Sequence, residues 1–187
     1  LSVCDYNLEK MGTKKIYNTH NLLAEVCLAA KYEAESLEKY RDQYQAKYGD
    51  SGSTICTVLA RSFADIGDII RGKDLFLGGP SQEKKKLERN LKDIFAKIYE
   101  ELKRGDKKKE AEKHYKDGAP EFYKLREDWW NANRLEVWKA ITCDVKGNRY
   151  FRATCGDARN PFLTQDDCHC AGGPVPTNFD YVPQYLR

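Results

Sequence analysis

No uncharged run in this 187-residue chain approaches the ~20 residues needed to span a bilayer. The first ten residues, LSVCDYNLEK, have neither the basic start nor the apolar stretch of a secretory signal. If the protein is exported or anchored, another part of a longer polypeptide is expected to do it. Histidine is scarce: His20, His114 and His169 are the only three imidazoles, and none lies in a recognised nucleophile or base motif. No enzymatic activity and no cofactor are therefore expected. Residues Gly67 to Asp74, GDIIRGKD, fall one residue short of the phosphate-binding loop that ends in Lys-Ser or Lys-Thr. Asp74 replaces the hydroxyl that would hold magnesium, and Asp68 adds negative charge where phosphates would sit. A helix end followed by a turn explains the segment better.

Cysteine, by contrast, is plentiful. Seven residues, Cys4, Cys27, Cys56, Cys143, Cys155, Cys168 and Cys170, occur with no regular spacing. Such a pattern suits an oxidising location with several structural disulfides, whose connectivity the spacing leaves open. The odd count leaves one cysteine unpaired, and its partner is expected beyond Arg187. Cys168-His169-Cys170 invites a metal, but Cys143 and Cys155 stand too far apart for the usual Cys-x2-4-Cys ligand pairs, so no metal is expected.

With 41% apolar residues and 12% aromatics the chain can build a core. The pattern predicts four long helices. The first runs from Thr19, a plausible N-cap, to Tyr48, with Leu22, Leu23, Val26, Cys27, Ala30, Ala34 and Leu37 on one face. The second, Ser53 to Ile70, is apolar on several sides and reads as central and buried. The third, Ser81 to about Arg104, repeats Leu87, Leu91, Ile94, Ile98 and Leu102 at helical intervals and stops near Gly105. After a charged connector, Pro120 opens a fourth through Trp129, Trp130 and Trp138 to about Thr142. Rings at that spacing usually fill a core. From Cys143 to Asp180 no helical period survives, Tyr150-Phe151-Arg152 hints at a short strand, and Val182 to Arg187 looks like a helix start. The fold class is mainly α: a disulfide-stabilised helical bundle, about 1–142, with a cysteine-rich irregular segment, about 143–187.

Positive charge is concentrated in one place. Between Ser81 and Lys116 there are 13 Lys or Arg against 8 Asp or Glu, a surplus of 5 where the whole chain carries +3. Lys84, Lys85, Lys86, Arg89 and Lys92 lie on the third helix, with Lys85, Arg89 and Lys92 opposite Leu87, Leu91 and Ile94. Such a stripe attracts polyanions through salt-screened contacts: heparan sulfate, sialylated glycans, acidic lipid or, least suited to an extracellular site, nucleic acid. Glu88 and Asp93 dilute it, and a charged helix face is also the ordinary surface of a soluble bundle.

Five blocks of sequence resemble a known family. They are Asn21 to Glu33 (NLLAEVCLAAKYE), Leu59 to Gly78 (LARSFADIGDIIRGKDLFLG), Leu125 to Arg134 (LREDWWNANR), Val137 to Cys143 (VWKAITC) and Phe179 to Arg187 (FDYVPQYLR). Together they are similar to the Duffy-binding-like domains, and more narrowly to the alpha class of the Plasmodium falciparum erythrocyte membrane protein 1 family of variant surface antigens. The resemblance implies one domain fragment over 1–187. It also implies display on the surface of the infected erythrocyte, with membrane attachment only through other parts of the full-length protein. The implied partners are antibodies and a host-cell receptor, whether glycosaminoglycan, blood-group sugar or protein, engaged in rosetting or cytoadherence. An alternative role is a structural and antigenic segment without receptor affinity of its own. Asn178 before Phe179, and Leu135-Glu136 before Val137, depart from the family pattern.

Overall fold

The computed structural model describes residues 18–48, 54–75, 82–116, 118 and 120–187. Helix α1 spans Thr19–Tyr48, α2 Ile55–Arg71, α3 Gln82–Leu102, α4 Lys108–His114 and α5 Tyr123–Ile141, followed by two short 3-10 turns at Phe179–Tyr181 and Gln184–Leu186. The four long helices are those the apolar spacing predicts. Their ends differ for local reasons. The Asn18 side chain, not Thr19, caps α1, its Oδ1 accepting the Asn21 N–H at 2.9 Å. Helix α5 starts at Tyr123 rather than Pro120 because Phe122 is buried in a left-handed backbone (φ 52°), which a helix cannot continue through. The charged connector contains the seven-residue α4, which buries no side chain and so left no apolar period to read. The helix expected from Val182 is only a 3-10 turn, since Val182 itself is extended (φ −86°, ψ 129°).

Helix α2 is the central element. Twelve of its 17 residues are buried, against α1 on one side and α5 on the other. Phe63 sits between two indoles, 5.1 Å from the Trp130 ring and 5.2 Å edge-on from Trp138. Trp129 meets Phe95 of α3 edge-on at 6.3 Å. All three tryptophans therefore fill the core, as their helical spacing suggests. Helix α3 presents Leu87, Leu91, Ile94, Phe95 and Ile98 to that core.

The segment after α5 has almost no regular structure. Among the described residues only two isolated bridges form, Asn148 with Asp167 and Cys155 with Phe162, and neither includes the expected strand at Tyr150-Phe151-Arg152. Covalent and polar ties hold it instead. Cys56 at the start of α2 is joined to Cys168, and Cys155 to Cys170. The Trp138 indole donates to the Cys168 carbonyl at 3.2 Å, and Tyr150 Oη to Thr177 at 3.1 Å. The Cys56–Cys168 bond closes 112 residues of chain, a span for which loop-closure entropy in the unfolded state is worth about 4–5 kcal/mol.

Gly67 lets the Trp130 ring of α5 pack directly on the backbone of α2. A Cβ there would stand 2.8 Å from two carbons of the Trp130 ring. Alanine would gain about 1 kcal/mol in helix propensity, but forcing a buried indole aside costs about 1–3 kcal/mol. Gly67→Ala is therefore expected to lower stability by up to about 2 kcal/mol, read as an earlier midpoint in urea denaturation.

Candidate functional site

The near-match to a phosphate loop is a helix end. Gly72 takes the left-handed conformation (φ 71°), with its N–H bonded to Ile69 O and that of Lys73 to Asp68 O, closing α2 as a Schellman turn. Arg126 of α5 adds two bonds to that last turn: its Nε donates to Ile70 O at 2.6 Å and its Nη2 to Ile69 O, which thereby accepts a second bond, at 3.0 Å. A guanidinium at a helix C-terminus also meets the negative end of the helix dipole. The same guanidinium grips Glu88 of α3 with both nitrogens, at 2.7 and 2.9 Å. One fully buried arginine thus joins α2, α3 and α5.

Arg71 repeats the device one turn away. Its Nε donates to Gly67 O at 2.9 Å, Nη1 to Glu127 at 3.2 Å, and Nη2 to Asp68 at 3.1 Å and to the Asp180 carbonyl. Asp180, wholly buried, accepts from the Trp130 indole at 2.8 Å and from Arg134 through two bonds of 2.7 Å. Arg187 reaches Asp68 and the Phe179 carbonyl. Burial pushes the Asp68 carboxyl above its ordinary range, with Arg187 and Arg71 pulling against it. Asp68, Arg71, Arg126, Arg134, Asp180 and Arg187 are therefore turned inward and act as scaffold, while Lys73 of the same blocks stays exposed.

The imidazoles are likewise structural or solvated. His20 and His114 are exposed, His114 bonding Asp128 at 2.9 Å. His169 stands between Thr142, 2.6 Å from Nε2, and Asp167, 3.3 Å from Nδ1, in the outline of a nucleophile, base and orienting acid. The Thr142 hydroxyl, however, is buried and gives its proton to Trp138 O at 2.6 Å. His169 Nε2 must then donate to that hydroxyl, the reverse of what a base does. Cys168 and Cys170 belong to two different disulfides, so the Cys-His-Cys run has no thiolates to offer a metal. Among the described residues no other group of three His, Cys, Asp or Glu could hold one.

What remains outward is the basic face of α3. Lys85, Lys86 and Arg89 are exposed. Lys84 is half-buried, its ammonium 3.8 Å from Asp74, and Lys92 is tied to Glu121 at 2.8 Å, a bond that raises its pKa. The five residues of the stripe are thus split: three face solvent and two brace α3 against its neighbours. Glu88 does not dilute the stripe as its position in the sequence suggests, because Arg126 takes it inward, while Asp93 stays exposed beside it. Sequence reasoning missed the Asp180, Arg71, Arg126 and Arg134 network. Its one available signal was arginine inside otherwise apolar blocks.

The Duffy binding domain model matches residues 1–187. The chain belongs to the Duffy binding domain family. This is a family of adhesion domains rather than enzymes. The chain is 41% identical to the NTS-DBL1(alpha-1) domain of the Plasmodium falciparum membrane protein 1 (PfEMP1) from the varO strain, with a TM-score of 0.77 over 98% of this chain and 39% of that one. It is 34% identical, TM-score 0.68, to the ICAM-1-binding PfEMP1 IT4var13 DBLbeta domain, over 96% of this chain and 38% of that one. The same DBLbeta domain bound to ICAM-1 gives 34% identity and a TM-score of 0.66 over 96% and 39%. The chain therefore spans about 39% of the length of these solved relatives. No curated protein matches it. The Duffy-binding-like fold expected from the sequence blocks is the fold observed, and with the PfEMP1 likeness comes a location on the infected erythrocyte surface.

Of the seven cysteines expected to form disulfides, four do; Cys27 and Cys143 do not, being free thiols with no sulfur in bonding reach among the described residues, and Cys4 lies outside those residues. Cys27 is half-buried, and desolvation, reinforced by Glu136, pushes its pKa up to about 11. Cys143 is exposed and shifted in the same direction. At pH 8 very little of Cys27 is thiolate, so iodoacetamide should label Cys143 well before Cys27, as peptide mass spectrometry can follow. Asp180→Asn keeps the shape of the side chain but leaves Arg134 without its counter-charge. It is expected to cost about 3 kcal/mol in denaturant unfolding, whereas an exchange of exposed Asp93 should cost almost nothing.

Proposed function

We propose that this chain is a host-cell adhesion module of a parasite variant surface antigen, contacting an anionic glycan through the solvent face of α3. The observation that carries this reading is the cluster of exposed Lys85, Lys86 and Arg89, left uncompensated on one side because Arg126 draws Glu88 into the core. Three cations on a rigid helix attract a sulfated or sialylated chain through contacts that are individually weak and strongly screened by salt. Adhesion takes place at the erythrocyte surface, in rosetting or cytoadherence. The related DBLbeta domain bound to ICAM-1 supports a protein receptor as a second form of the same role.

The test is retention of the full chain on immobilised heparin as salt is raised. Losing three exposed ionic contacts of about 0.5 kcal/mol each corresponds to roughly tenfold weaker binding. Lys85→Ala, Lys86→Ala and Arg89→Ala combined should therefore elute at clearly lower salt, with the thermal midpoint unchanged. Lys84 and Lys92 are best left in place, since their loss would disturb Asp74 and Glu121. Retention unaffected by the triple exchange would remove the stripe from the contact. Binding to a host protein that persists in high salt would assign the role to a protein receptor, and no affinity for any receptor would leave a structural and antigenic segment.

A further inference from the structure

At the opposite end of α3 from Lys85 and Arg89, the last turn of α3, one face of α4 and the start of α5 line an open surface cavity of about 550 Å3. That volume lies within the range of small-molecule sites, roughly 300–1,000 Å3. Two kinds of group line it. Leu102, Ala111 and the ring of Tyr115 are apolar, and Ala111 and Tyr115 are only part-exposed. Lys107 and Lys113 bring two exposed ammonium groups against a single lining carboxylate, Glu110, and Lys124 and His114, each with a partner of its own, complete the lining.

The aromatic wall is held in place. The Tyr115 ring stands edge-on to Tyr99 at 6.4 Å and to the His114 ring at 4.7 Å. Its hydroxyl bonds Asp128, which His114 also holds at 2.9 Å, so that second nearby carboxylate is already occupied by two partners. Burial and Asp128 push the Tyr115 pKa up to about 12, and the phenol therefore adds no negative charge to the cavity at neutral pH. A flat, neutral ring beside several cations suits a ligand that is itself a ring with anionic substituents. A pyranose can lay its C–H face on the aromatic ring while its sulfate or carboxylate meets the ammonium groups. A wholly apolar ligand would leave the lysines unused, and a bare anion would leave the ring unused.

We propose that this cavity binds one acidic saccharide unit, a pyranose carrying sulfate or carboxylate, as a pocket separate from the basic stripe. The proposal rests on the glycan-adhesion reading and deepens it: the stripe attracts a long polyanion by charge, and the cavity recognises a single residue of a glycan by shape. It predicts affinity for short oligosaccharides, which a diffuse stripe hardly retains.

Isothermal titration of the full chain with a heparin-derived tetrasaccharide and with sialyllactose tests this. Ala111→Trp fills the cavity and keeps every cation, so it should weaken the better ligand at least tenfold. Lys107→Glu with Lys113→Glu, two exposed positions that cannot disturb the core, should do the same. The triple exchange at Lys85, Lys86 and Arg89 should change short-oligosaccharide affinity less than twofold while shortening retention on heparin. A preference for the tetrasaccharide identifies a sulfated glycan as the source, and a preference for sialyllactose a sialylated one. The cavity proposal is overturned by failure of both saccharides to bind, by affinity unchanged in both cavity variants, or by affinity lost in the stripe variant. Loss of heparin retention by the parent chain, with short-saccharide binding intact, would overturn the stripe alone.

Discussion

Two fully buried arginines, Arg71 and Arg126, and two partly buried ones, Arg134 and Arg187, are matched in this fold by Asp68, Glu88, Glu127 and Asp180. Burying that many charges is expensive unless each is paired and hydrogen-bonded, and here the pairings cross from α2 to α3, α5 and the C-terminal turns. The network therefore dictates where those elements must sit. Asp180 illustrates the constraint. It lies in a segment with no helix or strand to position it, yet two bonds from Arg134 and one from Trp130 leave it a single location. A hydrophobic replacement could match the stability but would not select one register so narrowly.

This inward use of charge separates scaffold from surface. The blocks that resemble the Duffy-binding-like domains contain Arg71, Arg126, Arg134 and Arg187, the tryptophans, Gly67 and Gly72, all committed to holding helices together. Helix α3 is attached to that frame through Leu87, Leu91, Ile94, Phe95 and Ile98, with Glu88 reaching in from the polar side and Lys84 and Lys92 bracing its flanks. Its exposed face and the neighbouring α4 can change charge or shape at small cost to the core.

The four long helices were legible because their apolar residues recur at three and four positions and their ends carry turn residues. The buried tryptophans were legible for the same reason. Helix α4 was not, because a helix that buries nothing has no period. The start of α5 at Tyr123 was misplaced because the left-handed backbone of Phe122 is imposed by burying its ring, which no local propensity announces. In the candidate site the exposed lysines were readable as a stripe, but the different fates of Lys84, Lys92 and Glu88 depended on Asp74, Glu121 and Arg126, residues distant in sequence.

By itself the sequence determined the helical class, the buried face of each long helix, the oxidising chemistry of its cysteines and the family to which it belongs. Those properties follow from local periodicity, composition and contiguous strings. Tertiary structure alone decided which cysteines pair, which charges are interior and which remain to meet a partner. The physical reason is that a charge on a helix surface has two stable fates, solvation or burial against an opposite charge. Which one prevails depends on what another part of the chain brings within about 3 Å.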